Sequence, residues 1–295
     1  MRRPSMTPDA EPPAPRGRMV EIAPGRRLHL IRAGPTDGSG PLVVLEAGAF
    51  GFSADWAAVQ GKLAAEGVAS FAYDRAGLGF SDPGPSPRDS LAIAGDLEAL
   101  LAGAGEAGPL ILCAHSMAGL HARLFASRNP ERMRGLVLVD ATTPEAMESK
   151  WVGGLVGQFA RASRLAAWGA EAGLLRPLAE SLGDAIGLHG AARAEKRWAF
   201  ALGSHNRQAA EEVASWAASA RMAREAAGLD PDWPVAVILA GKPGGASKLR
   251  AMQAAPARGS RAGRIETVAG ASHATLLGGG YADAIVRGVA HVIES

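Results

Sequence analysis

The chain has 295 residues, of which 47% are apolar and 20% are charged, and these proportions are typical of a globular protein with a large core. Its 31 basic and 29 acidic residues leave a net charge of +2, which is too small for an electrostatic nucleic-acid-binding surface. A single cysteine excludes an internal disulfide framework and a cysteine-rich metal site. No run reaches the roughly 18 apolar residues that a membrane span requires.

The first 18 residues form a proline-rich segment with a basic start. They lack the apolar stretch of a secretory signal, so we expect a disordered tail over 1–18 and a cytoplasmic protein.

Short apolar runs alternate with alanine-rich helical patterns from residue 19 to residue 143. The runs 19–23 and 27–33 predict a β-hairpin. Four further runs, bounded by glycine or proline, predict strands buried on both faces of a parallel sheet: 42–46, 69–73, 110–114 and 136–140. Helices are predicted over about 54–66, 90–104 and 118–128. This alternation predicts an α/β fold with a doubly wound, mostly parallel sheet.

The pattern changes at about residue 145, and only helical periodicity follows up to residue 230, for example over 149–182 and 191–228. Strand patterns return at 235–240 and 265–268, with helices predicted around 247–255 and 281–293. A helical block inserted between two strands of one sheet predicts a cap. We therefore expect a core of residues 19–144 and 231–295 and a cap of residues 145–230.

The segment most informative about chemistry is the apolar run 110–114 followed by His115, Ser116 and Met117. A strand, a serine with small residues two positions on either side, and a helix together predict a nucleophile elbow, a strained turn that presents the serine hydroxyl. The usual glycines are replaced here by Ala114 and Ala118. A serine needs a base to attack a carbonyl, and histidine is the natural base near neutral pH.

Four landmarks in chain order resemble the α/β-hydrolase family over residues 19–143 and 231–295. They are the strand and loop 43–49, the segment 73–82, which is similar to the family's Asp-x-Arg-Gly-x-Gly-x-Ser signature, the elbow 115–117 and the histidine loop 270–273. The resemblance implies a catalytic triad, a backbone oxyanion hole and no cofactor or metal.

Among seven histidines, His273 lies in a small-residue loop after the last strand, where ligands gather in such sheets. His115 is expected to point away along the turn. The loop 241–247 after the seventh strand carries no carboxylate, and Asp230 and Asp232 precede that strand. In the family that the chain resembles, the acid usually follows the seventh strand but in some members ends the sixth. The resemblance therefore implies Asp140, at the end of the sixth strand, as the acid.

The oxyanion hole is assigned to the backbone amides of Met117 and Ala49, with Phe50 as the alternative to Ala49. Glu46 is expected to be a buried structural residue, with Arg75 as a candidate partner, and a position lining the site stays open as the alternative. The glycines of segment 74–81 lack the spacing of a phosphate-binding loop, and Cys113 is expected to lie in the core. The substrate pocket is predicted to use five residues, Phe50, Trp151, Phe159, His205 and Trp216.

These residues predict a serine hydrolase of small to medium carboxylic esters that works through an acyl-enzyme. The same triad would serve a lactonase, a carbon–carbon bond hydrolase, an aminopeptidase or a cofactor-free haloperoxidase, and these alternatives stay open. A serine nucleophile argues against the haloalkane dehalogenase and epoxide hydrolase branches, which use a carboxylate. A non-catalytic ligand receptor of the same fold is the alternative from a different class. The expected partner is a small acyl substrate, and the sequence leaves the oligomeric state undetermined.

Overall fold

A computed structural model describes residues 11–38, 40–241 and 248–295 of the chain. Within them one eight-stranded sheet has the order β1-β2-β4-β3-β5-β6-β7-β8. The β1–β2 and β2–β4 pairs are antiparallel and the remaining pairs are parallel, which confirms the predicted fold class. The strands are β1 Arg18–Ala23, β2 Arg26–Ala33, β3 Leu42–Glu46, β4 Ser70–Tyr73, β5 Leu110–His115, β6 Met133–Val139, β7 Val235–Ala240 and β8 Gly263–Val268.

The central strands are apolar at successive positions because helices cover both faces of the sheet. In β3, Val44 packs into the core on one face and Val43 and Leu45 into the core on the other. On the first face lie the helices α2, Ser90–Ala104, and α3, Ala118–Arg128. On the second face lie α1, Ala57–Ala65, preceded by a 3₁₀ turn over Ser53–Trp56, and the last helix, Ala282–Glu294.

Every regular element between β6 and β7 is helical, as the sequence predicts, and all of these residues lie in the described part of the chain. The two long predicted helices are each broken into shorter ones. A 3₁₀ turn over Glu145–Glu148 is followed by α4 Lys150–Glu171, a 3₁₀ turn over Arg176–Leu178, α5 Ala179–Leu182, α6 Gly190–Ala201, α7 Gly203–Ala214 and α8 Trp216–Glu225. We call this segment the helical insertion.

Two short helices, α9 Lys248–Gln253 and α10 Ala255–Gly259, replace the single helix predicted around 247–255. Residue 247 and the rest of the loop 242–247 lie outside the described residues, as do residues 1–10 of the expected tail. A 3₁₀ turn, Thr275–Leu277, follows β8, and the last helix, Ala282–Glu294, is α11.

The expected tail is ordered at its end, where β1 begins at Arg18. Arg16 binds the buried carboxylate of Glu195 on α6, with its Nε 3.0 Å from Oε1 and its Nη2 2.7 Å from Oε2. The Arg16 carbonyl also bonds to the ring of His29 on β2. The prediction of disorder is therefore wrong for residues 16–18, because a buried carboxylate far along the chain requires a cationic partner.

Among the described residues, no helix combines the length and the apolar character needed to cross a bilayer.

Gly119, in the first turn of α3, has no room for a side chain. A Cβ there would lie 2.5 Å from the Thr142 carbonyl oxygen and 2.9 Å from the Ala141 Cβ. We expect Gly119→Ala to lower the free energy of unfolding by about 1–3 kcal/mol through overpacking. Its matched control is Gly95→Ala in α2, where a Cβ meets no atom within 4 Å. In that variant the free energy of unfolding should rise by about 0.5–1 kcal/mol, because alanine has a higher helix propensity than glycine. Urea unfolding of both variants measures the difference, and equal effects at the two sites would contradict the packing argument.

Candidate active site

Ser116 occupies a strained turn between β5 and α3. Its φ angle is +58°, in the left-handed region that a residue with a side chain rarely adopts. The turn also brings Ser116 close to the loop after β3, since a Cβ on Gly48 would lie only 2.8 Å from the Ser116 Cβ. Ala114 and Ala118 are fully buried on either side of the turn. The local geometry is that of a nucleophile elbow, with alanines in place of the flanking glycines.

The three non-glycine residues with positive φ among the described residues all lie at the carboxyl edge of the parallel strands. They are Phe50 at +58°, Ser116 at +58° and Asp140 at +44°. Such conformations cost about 1–3 kcal/mol each and persist where the surrounding structure enforces them, most often at functional sites. Their clustering marks this edge as the candidate site.

Asp140 follows directly after β6, and its backbone amide donates to the Ile238 carbonyl on β7 at 2.7 Å. Its Oδ2 lies 2.6 Å from Nδ1 of His273. Burial raises the pKa of the Asp140 carboxyl, but the hydrogen bond and the charge of His273 outweigh it and leave the pKa lowered. An ionised Asp140 accepts from Nδ1–H and so leaves Nε2 of His273 as the atom able to take a proton.

His115, which immediately precedes Ser116, lies against His273 and does not point away as expected. The two ring centroids are 4.5 Å apart, and Nε2 of His115 is 3.0 Å from the His273 carbonyl oxygen. Burial, together with the nearby charge of His273, lowers the pKa of His115 to about 3. A neutral His115 can therefore donate from Nε2 to that carbonyl, which fixes the histidine loop to the residue beside the elbow.

Among the described side chains, no hydrogen bond joins the Ser116 hydroxyl to the His273 ring. Ser116 is buried, whereas the His273 side chain is about half exposed (51%) at the mouth of the site. The contact through His115 nevertheless holds the two residues at one edge of the sheet. In enzymes without substrate such catalytic hydrogen bonds are often long and tighten in the substrate complex.

A tight turn after β3 faces the elbow. Its Gly51 amide donates to the Gly48 carbonyl at 3.1 Å, and it places Phe50 in the left-handed region. Within the described chain, neither the Ala49 amide nor the Met117 amide donates to another protein group. Two free amides beside the elbow serine are the arrangement that an oxyanion hole requires.

Arg75 holds this turn from beneath. Its Nη2 donates to the Gly48 carbonyl at 2.8 Å, and its Nη1 donates to the Ala47 carbonyl and, at 2.9 Å, to Glu46. The same guanidinium forms a two-pronged pair with Glu212 on α7, at 3.0 Å from Nε to Oε1 and 2.8 Å from Nη2 to Oε2. Of the two roles that the sequence left open for Glu46, the structure shows the first, a buried partner of Arg75.

In this cluster burial disfavours the charged form of each side chain, whereas pairing with an opposite charge favours it. Burial lowers the pKa of Arg75. The carboxylates of Glu212 and Glu46 raise that pKa by a larger amount, so the guanidinium stays charged. Burial raises the pKa of the Glu46 carboxyl. Arg75 and the Tyr73 hydroxyl lower that pKa by less, so it stays above its usual value. Loss of Arg75 would leave two carboxylates buried without a cation.

The helical insertion supports the same turn at two further points. Lys196 on α6 donates from Nζ to the Phe50 carbonyl at 3.1 Å and also pairs with Asp55 at 2.7 Å. His205 on α7 is buried, accepts from the Gly79 amide at 3.0 Å and forms a backbone hydrogen bond with Phe50. Burial, with the Lys196 charge, lowers its pKa to about 3. These contacts give His205 a supporting position behind the turn, where sequence reasoning had placed it against substrate.

Three of the other predicted pocket residues lie together. The Phe50 and Phe159 rings are 6.1 Å apart, and Phe159 stands edge to face with Trp216 at the same distance. Trp216 packs in one apolar cluster with Met117, and Phe50 packs against that cluster. Trp151, by contrast, is 64% exposed at the start of α4. The structure thus forms an aromatic wall beside the elbow without Trp151.

Cys113 lies in the core, where burial raises the pKa of its thiol, as the sequence predicts. In the described part of the chain, no group of three or more His, Cys, Asp or Glu side chains is arranged to hold a metal ion.

Comparison with known proteins agrees with this fold. The sequence profile of the alpha/beta hydrolase fold matches residues 41–251, which is most of the chain. The chain belongs to the alpha/beta hydrolase family. This α/β hydrolase resembles a solved thermophilic esterase from Thermogutta terrifontis, with a TM-score of 0.64, 21% identity and coverage of 95% of this chain and 100% of the other. It also resembles the enol-lactonase from Burkholderia xenovorans LB400, with a TM-score of 0.65, 22% identity and coverage of 94% and 100%.

Among curated sequences, an AB hydrolase superfamily protein of Gibberella zeae is 31% identical over 121 residues, which are 40% of this chain and 37% of that protein. The chain spans only 15 to 37% of the length of the curated relatives it matches. At these levels of identity and coverage, the comparisons establish the family and the fold of this α/β hydrolase.

Sequence reasoning missed the residues that support the site from a distance. Lys196 and Glu212 stand in amphipathic helices of the insertion, where a charged residue ordinarily faces solvent. Nothing in the local pattern separates them from their exposed neighbours. Lys196 binds a turn more than 140 residues earlier in the chain, and Glu212 binds an arginine 137 residues earlier. His115 carried a signal, because its position beside the elbow places it next to the histidine loop.

Arg75→Met should destabilise this α/β hydrolase strongly. Removing one partner of a buried ion pair costs about 3–5 kcal/mol, because the remaining charges stay buried without a partner. The control is Arg224→Met, which removes an exposed ion pair with Glu148 (3.0 Å) and should change stability by no more than about 1 kcal/mol. Denaturant unfolding provides the measurement. If Arg75→Met lowered the free energy of unfolding by as little as Arg224→Met, the buried cluster around Arg75 would not be stabilising the fold.

Proposed function

We propose that this α/β hydrolase is a serine hydrolase that cleaves carboxylic esters through an acyl-enzyme. The observation that carries the proposal is the 2.6 Å pairing of His273 Nδ1 with Asp140, beside a serine held at φ +58°. A strained serine, an oriented imidazole and an ionised carboxylate on one strand edge are the parts that nucleophilic acyl transfer needs.

In the proposed reaction, the Ser116 oxygen attacks the ester carbonyl while Nε2 of His273 takes the hydroxyl proton. The carbonyl oxygen becomes an oxyanion that accepts hydrogen bonds from the Ala49 and Met117 amides. Collapse of this intermediate breaks the ester bond, and His273 returns the proton to the leaving alkoxide. A water molecule then attacks the acyl-enzyme with the same base, which releases the acid and regenerates Ser116.

Asp140 supports this cycle electrostatically. Its carboxylate fixes the His273 tautomer, with the proton on Nδ1, and stabilises the imidazolium that forms when Nε2 is protonated. The lowered pKa of Asp140 favours this role, because the carboxylate is then ionised wherever the imidazole can act as a base.

The apolar wall beside the elbow favours a substrate with an acyl or alcohol group of some size. Phe50, Phe159 and Trp216 border the proposed oxyanion amides and offer ring faces and edges to such a group. The names of the esterase and enol-lactonase neighbours make esters and lactones the first compounds to assay.

Ser116→Ala should abolish labelling by a fluorophosphonate probe, since the probe forms its bond only with an activated serine oxygen. Wild type and the control Ser86→Ala, which changes an exposed serine paired with Glu211, should label equally. In-gel fluorescence with circular dichroism as a folding check gives the readout. Folded wild type that fails to label would favour the non-catalytic receptor.

Asp140→Asn should lower kcat for p-nitrophenyl acetate by on the order of 10⁴, because an amide favours the wrong imidazole tautomer. Asp232→Asn is the control, since Asp232 is an exposed acid that precedes β7 and lies at the other end of that strand. Steady-state kinetics on both variants test the assignment. Near-normal turnover in Asp140→Asn would remove this residue from the triad.

A further inference from the structure

The segment before β1 is fastened to the helical insertion through Arg16. The guanidinium of this residue pairs with Glu195 on α6, and its backbone amide donates to the same carboxylate at 3.1 Å. The Glu195 side chain is buried, and a buried carboxylate requires such a cation. Earlier in the segment, Glu11 and Pro13 line a cavity of about 480 Å³ together with residues of α6. We call residues 11–17 the strap.

The strap is also attached to the sheet. Gly17 has a φ of +87°, and a Cβ there would lie 2.1 Å from the Leu30 carbonyl oxygen on β2, so glycine is the residue that this path allows. The carbonyl of Arg16, directly before it, bonds to Nε2 of the buried His29 ring on the same strand. Arg16 therefore binds the insertion through its guanidinium and the sheet through its carbonyl.

Both ring nitrogens of His29 face hydrogen-bond acceptors. Nε2 meets the Arg16 carbonyl, and Nδ1 lies 3.0 Å from Oδ2 of Asp74. The Asp74 carboxylate also accepts from the Ser53 and Phe80 amides, each at 2.9 Å, so it acts as an acceptor towards several groups. A neutral imidazole has one N–H and would leave one of the two ring contacts without a proton. The contacts of His29 are therefore those of an imidazolium.

The charged groups that face His29 favour this form. They are Asp74 after β4, Glu195 on α6 and Arg16 in the strap, whose guanidinium is paired with Glu195. Burial lowers the pKa of His29. The hydrogen bond and the charge of Asp74, together with the Arg16 carbonyl and the charge of Glu195, raise that pKa by a larger amount, so it lies above its ordinary value.

A raised pKa fixes the direction of the pH dependence. The stability that the His29 contacts contribute is complete below the ordinary histidine pKa of about 6.5, and it is lost as the pH rises through the raised value. When the ring loses a proton, Nδ1 keeps its hydrogen for the Asp74 carboxylate. The lone pair of Nε2 then faces the Arg16 carbonyl oxygen, and that contact becomes repulsive.

We propose that the strap is a pH-dependent latch: the His29 imidazolium holds the Arg16 carbonyl, and loss of its proton releases the strap from the sheet and from the helical insertion. Release withdraws the cation from Glu195. The next residue on α6, Lys196, donates to the Phe50 carbonyl in the turn after β3, so the change extends to a turn that borders the candidate site. The latch does not rest on the proposed serine chemistry.

Trypsin cleavage after Arg16 tests the latch, because an arginine paired with a buried carboxylate is cut when the strap opens. Mass spectrometry measures how fast the new Gly17 N-terminus appears, relative to trypsin cleavage of benzoyl-arginine p-nitroanilide at the same pH. In wild type this relative rate should rise on the order of tenfold between pH 6.5 and pH 9, since one hydrogen bond to a charged group contributes about that factor.

Two histidine variants separate the latch from a general effect of pH. His29→Leu should be cut at pH 6.5 as fast as wild type is cut at pH 9, with no further rise. The control is His291→Leu, which changes a histidine on α11 whose Nε2 lies 3.0 Å from the Ala262 carbonyl oxygen. It should follow the wild-type profile. A circular dichroism spectrum that is equal at both pH values checks that the fold is retained.

Glu195→Gln gives a test that leaves the His29 ring intact. Neutralising the carboxylate should speed cleavage at pH 6.5 several-fold, and the rise towards pH 9 should persist. A wild-type rate that does not change with pH would overturn the proposal, as would a rise that persists in His29→Leu or a Glu195→Gln variant cut like wild type. Ser116→Ala should keep the latch, so folded wild type that fails to label with a fluorophosphonate would contradict the serine hydrolase alone.

Discussion

One buried guanidinium organises the region around the candidate site. Arg75 sits between Glu46 of the sheet, the carbonyls of the turn after β3, and Glu212 of the helical insertion. A carbonyl that accepts from Arg75 cannot turn away, so the turn beside the elbow is held in one conformation. The ion pair with Glu212 binds α7 to the sheet, because separating them would leave charges buried without partners. Arg75 therefore helps to hold both the insertion and the turn that carries the proposed oxyanion hole.

The strained backbone positions and the hydrogen bonds of the candidate site lie at the same edge of the sheet. The carboxyl ends of parallel strands place Ser116 after β5 and Asp140 after β6, and the loop after β8 supplies His273. Each of the first two residues is held at positive φ, and the third is held by His115 and Asp140. Neutral His115 is suited to this support, because it can donate a hydrogen bond without placing a second positive charge beside His273.

The helical insertion has two chemically different sides. Its inner side contributes Lys196, His205 and Glu212, which support the turn after β3, and an aromatic wall beside Ser116. Its outer side exposes apolar residues, among them Leu155, Leu165 and Trp168.

The sequence by itself determined the strands, the helical character of the insertion and the elbow, because each of these depends on periodicity or on residues next to one another in the chain. The family resemblance also pointed to Asp140, because the loop after β7 has no carboxylate and some members of the family take the acid from the end of the sixth strand. The structure pairs that residue with His273. The assignment of His115 failed, and so did the predicted disorder of Arg16, whose partner Glu195 is 179 residues away. Only the tertiary structure decided which charges are buried. The sequence around Glu212 is that of a residue on the solvent-facing side of a helix. Its burial and its pairing with Arg75 arise only when distant segments meet in the folded protein, so the local sequence does not predict them.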